Sequence, residues 1–247
     1  MKKIILGWEN LLYLSLLIGI VSIVITNKLT QAFNLSSIWG LIGQVYASLV
    51  IIMVGKLEVS HINLGNHIEL GYLTIPFTLL FLVGFTNIMN IEKAQNPSIL
   101  LLPFVSLVCF SMSAFFIGHS FVLITGICAS LTIIFILLYG YFSCKAFVGR
   151  TLTTSIGFII AVLSISLIKT SIITIYIPIF TLALPFTLFY FIKDKFTSVQ
   201  SITVSTLTAI LFGVLIFIVP FKIMWYLVVG LTIILVITQS SRKYRFI

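Results

Sequence analysis

Asn87 and Asn90 stand three residues apart at the end of a long apolar run, and Lys93, Lys145 and Arg150 follow in the breaks beyond it. Two carboxamides at that spacing share one face of a helix. Amide, ammonium and guanidinium groups all present N–H donors, so the five residues together form a donor set suited to an anion. Arginine adds a planar fork that holds a phosphate through two parallel hydrogen bonds. A metal-free phosphate site is therefore one reading of Asn87, Asn90, Lys93, Lys145 and Arg150. The other is structural. In it the two asparagines satisfy a helix end or a neighbouring helix, and the three cations anchor loops on one side of a membrane.

Groups for acid–base or metal chemistry are scarce. The chain holds five carboxylates in 247 residues: Glu9, Glu58, Glu69, Glu92 and Asp194. Magnesium is held by one or two carboxylates together with substrate phosphates. Glu92 and Asp194 fall in different breaks, and Asp194 is flanked by Lys193 and Lys195, an environment that repels a dication. His61 and His67 share the loop from Lys56 to Glu69 with Glu58 and Glu69, which reads as a structural or solvated loop, and His119 falls in a tight turn. Cys109, Cys128 and Cys144 show no CxxC spacing and read as small buried hydrophobes. No catalytic residue, metal ligand or cofactor is assigned from these residue types.

The elements that position the five donors are apolar. Hydrophobic residues make up 60 % of the chain and charged residues 8 %, against about 25 % charged in an ordinary soluble domain. Runs of about 18–23 residues suit helices crossing a hydrocarbon core of about 30 Å, and they lack the strict alternation of a membrane barrel. The expected fold is all-α: a polytopic membrane protein with about nine transmembrane helices in a single domain, 1–247. The helices are expected at 5–27, 37–55, 70–91, 98–117, 120–143, 152–168, 171–192, 202–220 and 222–240. Turn and charge signals set the breaks, among them Asn27-Lys28, Asn96-Pro97, Gly149-Arg150 and Lys193-Asp194-Lys195. With the N-terminus outside and the C-terminus inside, nine cations face the cytoplasm and five face outward, as the positive-inside rule prefers. The net charge of +9 is scattered between apolar runs rather than gathered on one face, so nucleic acid is not an expected partner. Membrane lipids are.

From Gln44 onward the chain resembles the bacterial polyprenyl-phosphate sugar-1-phosphate transferases, over a core of about 44–189. The stretches that carry the resemblance are "IELGYLTIPFTLLFLVGFTNIMNI" (Ile68 to Ile91), "KAFVGRTLTTSIGFIIAVLSI" (Lys145 to Ile165) and "IPIFTLALPFTLF" (Ile177 to Phe189). That family initiates teichoic-acid and O-antigen synthesis, and it works through aspartates that serve Mg²⁺ and nucleotide-sugar chemistry. The resemblance places its Asp-Asp pair at Thr30-Gln31. Of Asn-x-x-Asn followed by Asp-Gly-x-Asp-Gly, Asn87 and Asn90 match, while the aspartates fall on Lys93 and Asn96. In the third motif Lys145, Phe147, Gly149 and Thr151 are kept and the aspartate has become Arg150. The long His-rich loop is reduced to Lys193–Gln200, and the family's first one or two helices have no counterpart.

Phosphoryl transfer depends on metal ions and positioned groups that neutralise developing charge. A lysine and an arginine at aspartate positions repel the metal. The resemblance thus implies a relative of the bacterial plasma membrane whose Mg²⁺ site is lost. It would bind the polyprenyl phosphate carrier, or partner envelope-glycan enzymes, without catalysing transfer. The alternative is an active transferase on undecaprenyl phosphate with divergent motifs, drawing on Glu92 or Asp194.

Overall fold

The computed structural model describes residues 2–59, 61–63, 67–90, 93, 94, 96–143, 148–169, 175–193 and 196–219, and further on 223, 226, 227, 229 and 230. The chain is an all-α, multi-pass membrane protein. Its helices are α1 (Lys2–Ala32), α2 (Ser37–Met53), α3 (Thr74–Ile88), α4 (Leu101–Ile117), α5 (Ser120–Ser143), α6 (Arg150–Ile168), α7 (Tyr176–Ile192) and α8 (Ser198–Ile218). Among the described residues six helices are long and apolar enough to cross a membrane, and α2 and α7 are shorter apolar helices. The ninth expected helix, 222–240, falls almost wholly outside the described residues.

The expected end of the first helix is corrected. α1 runs on past Asn27 and Lys28 to Ala32. It stops where Asn34 takes a left-handed conformation, φ 49°, and the Leu35 N–H folds back to the Thr30 carbonyl at 3.0 Å, an αL closure that asparagine tolerates. The Asn27-Lys28 pair does not break the helix because its two side chains part company: Asn27 is buried and Lys28 is exposed. α8 begins earlier than expected, at Ser198, where Thr197 and Gln200 form a reciprocal capping box. The loop expected from Lys56 to Glu69 contains a small antiparallel hairpin, β1 (His61–Asn63) with β2 (His67–Glu69).

α6 is the central element. From Thr153 to Ile168 every residue but Ile159 is buried, against α1, α3, α4, α5 and the start of α7. Lipid tails are as apolar as a leucine, so packing rather than hydrophobicity holds such helices together, and small residues allow close approach. α6 supplies Thr153, Thr154, Ser155, Gly157, Ala161, Ser164 and Ser166. The hydroxyls of Thr153, Thr154, Ser155 and Ser166 donate to carbonyls of the preceding turn, which satisfies them inside an apolar bundle. Gly157 sets the α3–α6 distance: a Cβ there would lie 2.8 Å from Met89 Cβ and 3.0 Å from the Thr86 carbonyl.

Two devices shape the end of the bundle where α6 begins. A short ladder pairs β3 (Lys93–Ala94) with β4 (Val148–Gly149), Lys93 opposite Gly149, and so ties the segment after α3 to the start of α6. α7 contains a π-helical turn at Ile179–Ala183, between Pro178 and Pro185, whose missing N–H groups interrupt the regular ladder. From the last residue of that turn onward, Ala183, Phe186, Thr187 and Tyr190 recur at helical spacing along one wall of a cleft beside α3.

Candidate functional site: an amide–guanidinium cluster beside a cleft

α3 ends at Ile88, and the Asn90 N–H closes the chain onto the Asn87 carbonyl at 3.0 Å. Both side chains are half-buried. Arg150, the first residue of α6, donates from Nε to Asn90 Oδ1 at 2.8 Å and from Nη2 to Ser37 Oγ at 2.8 Å. One guanidinium therefore joins the starts of α2 and α6 to the end of α3.

That contact also orients the amides. A guanidinium can only donate, so the carbonyl oxygen of Asn90 faces Arg150. Its Nδ2 is then left to donate to Asn87 Oδ1 at 3.3 Å, and Asn87 Nδ2 donates to the Val83 carbonyl at 3.1 Å. Each NH₂ group has two protons. The Arg150–Asn90–Asn87 chain thus fixes two amides, each with a second N–H proton, beside the space next to α3.

That space is a cleft of about 620 Å³ between α3 and α7, lined by Asn87, Asn90, Phe186, Thr187, Tyr190 and Phe191 among others. The Thr187 hydroxyl donates to the Ala183 carbonyl at 2.7 Å, which leaves its oxygen as an acceptor. The Lys193 ammonium lies 4.8 Å from the ring centroid of Tyr190, one of the lining residues, within cation–π range.

Of the five donors singled out in the sequence, the structure brings Asn87, Asn90 and Arg150 together through side chains. Lys93 is placed by backbone register opposite Gly149, next to Arg150. Lys145 lies outside the described residues, as do Glu92 and Asp194. Asn96 serves a local role, its Oδ1 accepting the Ser98 N–H at 2.9 Å at the turn before α4. Thr30 is buried and bonds back to the Thr26 carbonyl at 2.7 Å, and Gln31 is exposed.

Three contributors were not legible in the sequence. Ser37, 113 residues from Arg150 in the chain, is one of its acceptors. Asn27 is buried beside Gly40, where a Cβ would lie 3.2 Å from Asn27 Oδ1 and 3.4 Å from Arg150 Nη2, so glycine lets α2 pack closely against both side chains. Gln44, one turn further along α2, is also buried. Among the described residues, Asn27 Nδ2 and Gln44 Oε1 have no hydrogen-bond partner. Tyr190 and Lys193 likewise carried no signal beyond helix-end composition.

The donor set decides what the site can hold. At the start of α6 a magnesium ion would meet a guanidinium where it needs a carboxylate, and among the described residues no group of three His, Cys, Asp or Glu could hold a metal ion. An anion there would meet amide N–H groups, the Arg150 guanidinium behind them and the first turn of α6, whose N-cap Gly149 offers no side chain.

Residues 13–168 match the family described as Glycosyl transferase family 4. A curated relative, the "Probable undecaprenyl-phosphate N-acetylglucosaminyl 1-phosphate transferase" of Bacillus subtilis (strain 168), is 26 % identical over 172 residues, which cover 68 % of this chain and 48 % of the relative. The chain thus spans about half the length of that relative. The family match runs from residue 13, within α1, to the end of α6, so most of α1, which precedes the expected core of 44–189, belongs to the matched region.

Proposed function

The chain belongs to glycosyl transferase family 4, and from that premise we propose that it is a non-catalytic relative that binds the phosphate of a polyprenyl carrier without a metal. The observation that carries the reading is Arg150, held to Asn90 and Ser37 at 2.8 Å each, where the resemblance places a family aspartate. A guanidinium there supplies the positive charge that a metal ion would otherwise supply. Asn87 and Asn90 contribute directed N–H donors, and Lys93, opposite Gly149 in the β3–β4 ladder, adds a cation next to Arg150; Lys145, three residues before Val148 in the sequence, is the remaining cation of the set. In the bacterial plasma membrane the end of the bundle where α6 begins would face the cytoplasm, and the protein would tune envelope-glycan synthesis by holding the carrier or by partnering the enzymes that use it.

Binding of undecaprenyl phosphate by the purified full chain in nanodiscs tests this. Affinity is expected to be the same, within about twofold, with Mg²⁺ and with EDTA, and to fall in the combined Lys93→Ala, Lys145→Ala, Arg150→Ala variant. Loss of binding in EDTA, or unchanged affinity in the triple variant, contradicts the metal-free site. The alternative, an active transferase with divergent motifs, rests on the family's chemistry and on Glu92 or Asp194 as replacement carboxylates. It requires turnover that depends on a divalent metal.

A further inference from the structure

Arg150 faces α3 through Nε and α2 through Nη2. On the α2 side it meets a notch floored by Gly40. A Cβ added there would lie 3.2 Å from Asn27 Oδ1, 3.4 Å from Arg150 Nη2 and 3.8 Å from Arg150 Cζ. A carboxamide of α1 and the guanidinium of α6 thus converge above a residue that has no side chain. Asn27 is 2 % exposed and Gln44 1 %. Gln44 follows Gly40 by four residues, which sets the two one turn apart on the buried face of α2. The hydroxyls nearby on α1 are committed to their own helix, Thr26 donating to the Ser22 carbonyl at 2.8 Å and Thr30 to the Thr26 carbonyl at 2.7 Å. Beside the notch α1 and α2 touch, for a Cβ at Gly43 would run into Thr26.

Buried polar groups in native proteins are matched by protein or by ordered water, because an unmatched one has given up its hydration for nothing. Among the described residues two such atoms remain on α1 and α2, and they are of opposite kinds: Asn27 Nδ2 donates and Gln44 Oε1 accepts. A cation would serve only the oxygen, and an anion only the N–H. A water molecule serves both, with Asn27 Oδ1 and Arg150 Nη2 at its flanks, within the roughly two to four polar partners that a buried water takes. Resting on the carrier-binding reading above, we propose that a water molecule is bound in the Gly40 notch by Asn27 and Gln44, and that through it α1 and α2 hold the Arg150 guanidinium in the setting that meets a phosphate. Asn27 and Gln44 are then positioning residues, which act on the ligand only through Arg150.

Two measurements on the full chain in nanodiscs test the water and the positioning separately. Magnetisation transfer from water to the isotope-labelled side-chain amide of Asn27, read without any lipid ligand, tests the bound water by itself. Transfer is expected in the wild type and lost in Gly40→Ala, whose methyl group takes the place of the water. No transfer to Asn27 in the wild type overturns the proposal. Binding isotherms for undecaprenyl phosphate test the positioning. Gly40→Ala and Gln44→Met are each expected to bind about tenfold more weakly, the loss of one hydrogen bond to a charged group. Gly40→Ser adds the same Cβ but carries a hydroxyl into the notch, and it should stay within about threefold of wild type, since a hydroxyl stands in for the bridging water. Equal weakening of Gly40→Ala and Gly40→Ser marks a steric effect and overturns the positioning role, as does unchanged affinity in Gly40→Ala and Gln44→Met. If the wild type does not bind undecaprenyl phosphate, the carrier-binding reading fails and the positioning role with it, while transfer to Asn27 still decides whether the water is bound.

Discussion

Replacing Arg150 by alanine is expected to lower affinity for undecaprenyl phosphate by about 10- to 100-fold. The guanidinium, held by Asn90 Oδ1 and Ser37 Oγ at 2.8 Å each, would offer a phosphate one charge-assisted contact, worth about 1.5–3 kcal/mol, with tenfold in affinity per about 1.4 kcal/mol. The loss has two origins. The charge behind the amides disappears, and Asn90 loses the donor that fixes which end of its carboxamide faces Asn87. Arg150→Lys separates the two: it keeps the charge, but its single nitrogen cannot reproduce a fork that spans α2 and α3, so an intermediate loss is expected. Arg150→Asp should be the most damaging, about 100-fold or more, because it places a carboxylate against a ligand of like charge and against Asn90 Oδ1. Binding isotherms for the three variants check the order. Affinity of Arg150→Ala within about threefold of wild type contradicts the site.

Gly157→Leu is expected to destabilise the fold by about 3 kcal/mol or more, through the contact that also assembles the site. A Cβ at Gly157 would sit 2.8 Å from Met89 Cβ and 3.0 Å from the Thr86 carbonyl. The second neighbour is backbone and cannot rotate away. Overpacking a tight core typically costs about 1–3 kcal/mol, and a leucine at this seam exceeds what local adjustment absorbs. In a bilayer no hydrophobic term compensates when two helices separate. Because Thr86 and Met89 flank Asn87, pushing α3 off α6 also draws Asn90 from Arg150, so stability and lipid binding should fall together. Gly84→Leu provides the contrast on the same helix: a Cβ there meets nothing within 4 Å, and an exposed substitution of this kind is expected to shift stability by no more than about 0.5 kcal/mol. Thermal unfolding in detergent should show Gly157→Leu lowered by about 6–12 °C and Gly84→Leu unchanged. Equal melting of the two variants contradicts the packing.

Hydropathy and turn residues were enough to find most helices, and to place Asn87 and Asn90 at the end of one and Arg150 in a later break. α4 and α5 fall at Leu101–Ile117 and Ser120–Ser143, close to the expected 98–117 and 120–143, because Gly118 makes a left-handed turn between two uninterrupted apolar runs. Charge misled at Asn27-Lys28. A polar pair inside an apolar run reads as a break, yet helical geometry turns Asn27 inward and Lys28 out. The π turn in α7 leaves hydropathy unchanged and is invisible to it. The site divides along similar lines. The asparagine spacing and the cation at Arg150 are local features of sequence. The partnership with Ser37, the glycine gap at Gly40 and the β3–β4 ladder depend on how α2, α3 and α6 pack, which no local pattern records. Lys193 reads as a loop anchor until Tyr190 is seen beneath it, on the wall of the cleft.

The central claim is that the family scaffold persists here without its metal chemistry, and a transferase assay tests it most directly. Purified full-length protein in nanodiscs, given undecaprenyl phosphate, UDP-N-acetylglucosamine and Mg²⁺, should form no lipid-linked sugar above a protein-free control while still binding the carrier. Formation of undecaprenyl diphosphate N-acetylglucosamine that EDTA abolishes would contradict the account.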